Sequence, residues 1–320
     1  MTTQPGPGAA DPLVSAVAGE RRHLTNLAYR LLGSLAEAED AVQETYARWY
    51  AMSRQRQEAI ASPGAWLTTV AGRICLNQLN SARARRETYV GEWIPEPLPD
   101  AAEWTTGRPG GPGMDPADRV TLDESVTLAF LVVLESMTPA ERVAFVLHDV
   151  FSYPFAEVAE IVGRTPAACR QLAASARRRV DTGHAPAPPT ARQAGVVRDF
   201  RQAWEAKDID ALIALLDPAA VAIADGGGLA TTFVHPIEGA EQIAHAWAGI
   251  AERAARSGMT FLERTVNGRL GVVAQQDGVT VTVFAFHLLG DRISNIWVVR
   301  NPDKLRAWSG RHQTGEESAG

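Results

Sequence analysis

The sequence predicts a multi-domain chain of two all-α helical domains followed by an α+β cone. Three observations carry this. Two Pro/Gly-rich breaks divide the 320 residues into three bodies. In the first two bodies apolar residues recur at helical spacing, whereas after Met259 the pattern becomes strand-like. Gly268, Asp277-Gly278 and Gly290-Asp291 then punctuate a meander of about four strands. The expected divisions are a helical body at 12–90, a linker at 91–118, a second helical body at 119–182, a linker at 183–191, a cone at 192–310 and a flexible tail at 311–320.

The elements follow from local signals. Leu24, Leu27, Ala28, Leu31 and Leu32 form one helical stripe that stops at Gly33-Ser34. A second helix runs from Leu35 to about Met52. Ser62-Pro63 opens a third, with a capping serine and a first-turn proline. Thr138-Pro139-Ala140-Glu141 opens a helix in the second body in the same way. In the third body, 194–216 reads as two helices split at Lys207-Asp208, and 240–256 as another. The segments TFLERTVNG, RLGVVAQQ, GVTVTVFAFHLLG and DRISNIWVVR read as strands.

Composition excludes several classes. The strongest apolar run, Val126 to Leu134, is far too short to span a membrane. The N-terminus has neither a basic nor an apolar leader region, so no secretory signal is expected. Cys75 and Cys169 are isolated, which suggests neither a disulfide scaffold nor a metal site and fits the cytoplasm. No cofactor is implied. The net charge of −6 hides segregation: residues 21–86 carry ten Arg against five acids, while 87–118 carry one Arg against seven. Different segments therefore suit different partners.

FAEVAEIVGRTPAACRQLAASARRRV, 155–180, has the grammar of a helix-turn-helix. Val158, Ala159, Ile161 and Val162 make the first helix apolar, and Gly163 ends it. Thr165 caps a second helix with Pro166 in its first turn. That helix is expected to bury Ala168, Leu172 and Ala176, leaving Arg164, Arg170, Gln171, Ser175, Arg177 and Arg178 outward. Such a helix lies in the major groove, where Arg170 and Gln171 suit base edges and Arg177 to Arg179 suit phosphates.

In AEDAVQETYARWY, 38–50, Ala41, Val42, Thr45, Tyr46 and Trp49 share a face that excludes Asp40, Gln43 and Glu44. Those polar residues suit a protein partner better than DNA; the plain alternative is a solvated helix face. The order of acidic helix, PGAWLTTVAGRICLNQLNSARARRE, linker and helix-turn-helix resembles the extracytoplasmic-function (ECF) sigma factors of RNA polymerase. That resemblance makes 12–90 region 2 and 119–182 region 4. It implies that Asp40, Gln43 and Glu44 meet the β′ clamp helices of core polymerase, and that region 4 meets the β flap. It assigns the −10 promoter element to Trp66, Arg73, Asn77, Arg83 and Arg86. The −35 element falls to Arg164, Thr165, Arg170, Gln171, Arg177 and Arg178. Opening a duplex calls for a stacking surface and a basic groove, which Trp66 and these arginines suit; as a core anchor, Trp66 would do neither. The pattern departs from the family at Asn77, where an acid is usual, and at Asn80, where an arginine is common.

Three further signatures, ETYVGEWIPEPLPD (87–100), DGGG (225–228) and NPDKL (301–305), together resemble the ECF41, SigJ-like subgroup. Its members carry a fused SnoaL-like domain of the NTF2-like fold. The departure here is Leu229, where a basic residue usually follows DGGG. The resemblance implies regulation in cis by the cone, with no separate anti-sigma factor. It makes Trp93, Pro95, Asp225, Gly226, Gly227, Gly228, Asn301, Pro302, Asp303, Lys304 and Leu305 the interdomain contact. Two other readings stand beside it. One is a ligand-responsive helix-turn-helix repressor. The other is a cyclase or isomerase site in the cone, with Asp225, His235, His287 and Trp297 lining a pocket. A small-molecule ligand in the cone fits either regulatory reading.

Overall fold

The computed structural model describes residues 17–86, 89–100, 126–180 and 190–308, with side chains from 82 to 86 excepted. It separates into two compact units. One holds 17–82 and Met137–Arg179; the other holds the 89–100 segment, 126–136 and the chain from Val180 onward.

The first unit is all helical. Helix α1 (Arg21–Leu32) buries its leucine stripe and ends on Gly33 at φ 71°, whose N–H returns to the Tyr29 carbonyl. Helix α2 (Leu35–Tyr50) is capped by Ser34, which accepts from the Glu37 N–H. After short α3 (Arg54–Glu58), helix α4 (Pro63–Arg86) runs for 24 residues. Helix α5 (Leu128–Glu135) belongs to the second unit. Helix α6 (Pro139–Phe145) starts in a complete Thr138–Glu141 capping box and widens into a π-helical turn, Val146–Val150. Helices α7 (Phe155–Val162) and α8 (Pro166–Val180) complete the helix-turn-helix, joined through Gly163 at φ 69°. One expectation is corrected here. The buried stripe of α8 is Cys169, Ala173, Ala176 and Val180, while Ala168 and Leu172 are half-buried. The spacing i, i+4, i+7, i+11 fits a helix face, and its small residues admit closer helix approach than leucine would.

Helices α6 and α7, with the turn between them, pack on α1 and α4. Arg142, only 2% exposed, donates from Nη1 to the Leu31 carbonyl at 2.9 Å. Burial pushes its guanidinium down to about 9. Tyr153 Oη lies 2.9 Å from His23 Nε2 and 3.1 Å from Thr68 Oγ1. At Gly72 an added Cβ would stand 2.8 Å from Ile161 Cγ2, so α4 meets α7 at a distance only glycine allows. Both cysteines are fully buried, as packing residues.

The second unit is the cone. Helices α9 (Ala191–Ala206) and α10 (Ile209–Leu215) lead into β1 (Leu216–Asp225), β2 (Ile237–Glu238), α11 (Ala240–Arg256), β3 (Thr260–Val266), β4 (Arg269–Gln276), β5 (Val279–Leu289) and β6 (Arg292–Val299). The sheet order is β2-β1-β6-β5-β4-β3; β1 runs parallel to β6, and every other pairing is antiparallel. The three helices cover one sheet face around Phe200, Trp204, Trp247, Phe284 and Phe286. Trp204 Nε1 donates to the Trp247 carbonyl at 2.8 Å, so the buried indole nitrogen is paired. Thr190 and Gln193 form a capping box, so α9 begins inside the expected 183–191 linker.

The 91–118 linker also differs from expectation. Ile94, Pro95, Glu96, Pro97 and Leu98 are buried in the cone's unit: Ile94 and Leu98 supply apolar anchors at either end, and the two prolines hold the run extended around Glu96. The GRPGGPG part, residues 183–189 of the expected second break and the tail lie outside the described residues.

Candidate functional site

The site is a clamp in which the cone grips segment 89–100. Asp225 ends β1, fully buried. Its Oδ1 accepts from Tyr89 Oη at 2.6 Å and from the Gly227 N–H at 3.0 Å. Its Oδ2 accepts from the Ile94 N–H at 3.0 Å and from Lys304 Nζ at 2.6 Å. Lys304, 7% exposed, also donates to the Ile94 carbonyl at 2.5 Å. Its ammonium stands 3.9 Å from the Trp93 ring centre, a cation–π contact sheltered from water. Burial, together with the Asp225 carboxylate it donates to, pushes the Tyr89 phenol upward. One carboxylate thus joins an ammonium of the cone to a backbone N–H and a phenol of the linker. An ion pair this deep is held by such satisfied geometry.

The flanking turns shape the clamp. Asn301 Oδ1 accepts from the Asp303 N–H, starting a 3₁₀ turn, Pro302–Lys304, that carries Lys304 inward. Asn301 Nδ2 donates to Tyr89 Oη at 3.0 Å. Gly227 sits at φ 62°, and a Cβ there would stand 2.3 Å from Asn301 Nδ2. At Gly226 a Cβ would stand 2.2 Å from the Ala230 carbonyl oxygen. Gly228 faces Val90 of the linker. Further along, the Leu98 N–H donates to Asn267 Oδ1 at 3.0 Å, the Asn267 N–H returns to the Leu98 carbonyl at 2.9 Å, and Trp308 Nε1 donates to the Pro97 carbonyl at 2.7 Å.

Of the expected contact residues, Trp93, Asp225, the three glycines, Asn301 and Lys304 meet here. Pro95 and Leu305 are buried nearby in sequence, while Pro302 and Asp303 face solvent. Tyr89, Ile94, Asn267 and Trp308 were not among the expected site residues. The Asn267-Gly268 pair signals a turn in the sequence, but nothing there says that its side chain caps a segment 169 positions away.

The helical surfaces are distinct. Asp40, Gln43 and Glu44 form an exposed ridge on α2, with Glu44 paired to Arg48 one turn on. Trp66 is half-buried, edge-on to Trp49 at 5.3 Å. Asn77 is exposed, and the Arg83 and Arg86 side chains lie outside the described residues. Arg73 is exposed but donates to the Glu160 carbonyl of α7 at 3.0 Å. On α8, Arg170, Gln171 and Arg178 are exposed, as are Arg164 and Thr165 before it. Arg177 pairs with Asp149 at 2.5 Å. Arg170 stands over the Phe155 ring.

The comparisons with known proteins follow this architecture. The family models for sigma-70 region 2 and sigma-70 region 4 match residues 17–85 and 127–180. Over 303 residues the chain is 38% identical to the ECF RNA polymerase sigma factor SigJ of Mycobacterium tuberculosis strain H37Rv, covering 91% of this chain and 93% of that protein. The chain belongs to the ECF RNA polymerase sigma factors. It is also 34% identical to a probable ECF sigma factor, SigI, of the same species, covering 93% of this chain and 97% of that one. The crystal structure of M. tuberculosis SigJ matches with a TM-score of 0.72 at 35% identity, over 92% of this chain and 98% of that one. The fold is therefore two helical sigma regions followed by a SnoaL-like α+β domain. Sigma factors are transcription initiation factors, which displaces the repressor reading.

Two consequences follow. The region 4 match begins at Thr127, so α5 belongs to region 4 by sequence and to the cone's unit by packing. Its first residues, Thr127 to Ala129, lie against Val266, Leu270 and Phe286 of the sheet. The suggested catalytic group does not assemble. Asp225 is committed to the clamp, His235 sits exposed in a loop, and His287 and Trp297 neighbour each other 6.3 Å apart. None of the four lines the cone's cavity. Among the described residues, no helix is long and apolar enough to cross a membrane.

Proposed function

We propose that the cone regulates this sigma factor in cis by holding the linker between regions 2 and 4. The observation that carries the proposal is the Asp225 grip: the carboxylate and Lys304 together engage Tyr89 and both backbone groups of Ile94. The cone's unit also holds the first helix of region 4.

Packing in the helical unit supports the same reading. Promoter elements centred about 25 base pairs apart lie roughly 85 Å apart at 3.4 Å per base pair. Here Arg73 on α4 touches Glu160 on α7, so the two regions that would read those elements must separate before both can bind. Docking fixes residues 89–100, a segment that spans up to roughly 40 Å at 3.3–3.6 Å per residue, to the cone and so removes its freedom to reorient between the two regions. Release of the clamp therefore favours the open form, and the cone acts as a built-in substitute for a separate anti-sigma factor.

In this reading Asp40, Gln43 and Glu44 dock on the β′ clamp helices, and region 4 meets the β flap. Trp66, Arg73, Asn77, Arg83 and Arg86 serve the −10 element. Arg164, Thr165, Arg170, Gln171, Arg177 and Arg178 serve the −35 element. Trp93, Pro95, Asp225 to Gly228 and Asn301 to Leu305 form the regulatory contact. The protein works in the cytoplasm beside core polymerase. The test is core-polymerase binding by the full chain. Asp225→Ala is expected to tighten binding several-fold, and combined alanine substitution of Asp40, Gln43 and Glu44 to weaken it at least tenfold. Unchanged binding in both variants would overturn the proposal.

A further inference from the structure

The cone holds a partly open cavity of about 720 Å³, between α11 and the helix-covered face of the sheet. That is the size of a small-molecule site, where ligand pockets span roughly 300–1,000 Å³. Its walls are mainly apolar, including Phe233, Ile250, Met259, Phe261 and Phe284. Two arginines join them. Arg253 lies on the exposed side of α11, and Arg300 follows β6, half-buried. Arg300 donates from Nη1 to the Thr231 carbonyl at 2.5 Å. Among the described residues neither arginine has a carboxylate partner, and the lining contains no acid. The buried Arg300 Nε has no hydrogen-bond partner among the described residues, and burial pushes the guanidinium below its ordinary range. On the same unit Arg198 and Arg201 both pair with Glu263.

An apolar chamber with uncompensated cations in its wall suits one chemistry. We infer that the cavity binds an amphipathic organic anion, a carboxylate on a ring system or alkyl chain, with Arg300 and Arg253 taking the carboxylate and the aromatic wall taking the rest. A bidentate arginine–carboxylate contact supplies orientation, and the wall supplies affinity.

The site adjoins the clamp through one stretch of backbone. Ala224 and Val298 are register partners that line the cavity, and the next residue of β1 is Asp225. The Asp225 carbonyl accepts from the Arg300 N–H at 2.7 Å and the Asn301 N–H at 3.0 Å. Arg300 therefore faces the cavity while its neighbour Asn301 holds Tyr89 of the linker. An anion on Arg300 acts on the segment that closes the clamp; this effector role rests on the cis-regulatory reading, whereas occupancy of the cavity does not.

The test titrates the full-length protein with two probes, anthracene-9-carboxylate by fluorescence and decanoate by calorimetry. Anthracene-9-methanol serves as the neutral control. Saturable binding of the acids is expected, with the alcohol at least tenfold weaker. Arg300→Met and Arg253→Met should each weaken the acids severalfold, and Ile250→Trp should abolish binding by filling the chamber. Arg253 is exposed, so its variant keeps the question open to test should Arg300→Met fail to fold. Absence of saturable binding by both acids, or equal binding of acid and alcohol, would overturn the site. Amide exchange across 93–98 is then followed with probe bound. Altered exchange supports the effector role; bound probe with unchanged exchange overturns that role and leaves the cis-regulatory reading to its own test.

Discussion

Replacing Asp225 by alanine should release the linker while leaving the cone folded. The substitution removes two hydrogen bonds to the linker, from Tyr89 Oη at 2.6 Å and from the Ile94 N–H at 3.0 Å, and strips Lys304 of its counter-ion. Hydrogen bonds to a charged acceptor contribute about 1.5–3 kcal/mol each. Breaking a buried ion pair from one side costs about 3–5 kcal/mol. These estimates overlap because both count the Asp225 charge, so about 3–5 kcal/mol is the expected loss of docking free energy. At about 1.36 kcal/mol per decade this is roughly 2.2 to 3.7 orders of magnitude in the opening equilibrium. The assay is native-state hydrogen exchange at Leu98, whose N–H bonds to Asn267 and not to the substituted residue. Its exchange should accelerate by that factor, or up to the free-chain rate. Adding Lys304→Met should restore part of the loss, because the second substitution removes the stranded charge. Leu98 exchange within threefold of the parent in Asp225→Ala would show that the carboxylate does not hold the linker.

Three other perturbations follow from the same geometry. Gly227→Ala forces a side chain onto a left-handed residue, at about 1–2 kcal/mol, and into Asn301; linker exchange should rise with little change in the cone's own exchange. Gly72→Ala should separate α4 from α7, because overpacking costs about 1–3 kcal/mol and the new Cβ meets Ile161; crosslinking between cysteines placed at Arg73 and Glu160 should fall. His23 is held below its ordinary 6.5, first by burial, with Arg30 adding and Glu20 opposing. The unfolded chain therefore binds the proton more readily, so stability rises as pH approaches 6.5 from below and is flat above it. In His23→Asn the rise in Tm between pH 5 and 6.5 should shrink; an unchanged slope would contradict the assignment.

What the sequence revealed was what is encoded locally. The Ser62, Thr138 and Thr165 caps, the Gly33 and Gly163 stops and the strand turns after Met259 each depend on a few neighbouring residues. Helix α11 was read to its terminal residues for the same reason. On α8 Ala176 was placed correctly, but Ala168 and Leu172 were read one position short of Cys169 and Ala173, because apolar residues occupy two adjacent phases and only packing selects between them. The parallel pairing of β1 with β6 was not legible, since its partners lie more than seventy positions apart. Nor was the burial of 94–98: a Pro-rich acidic run has the composition of a linker, and its place in the cone depends on Asp225 and Asn267 far along the chain. DGGG and NPDKL stood out by resemblance; that they close on one buried carboxylate required the fold.

The clamp is expected to hold this sigma factor back. The direct measurement is run-off transcription with bacterial core polymerase from a cognate promoter, comparing the full-length parent, Asp225→Ala and Asp225→Ala with Lys304→Met. Transcript is expected to rise several-fold in Asp225→Ala and to fall part of the way back in the double variant. Equal transcript from all three, with linker exchange accelerated in Asp225→Ala, would contradict the claim.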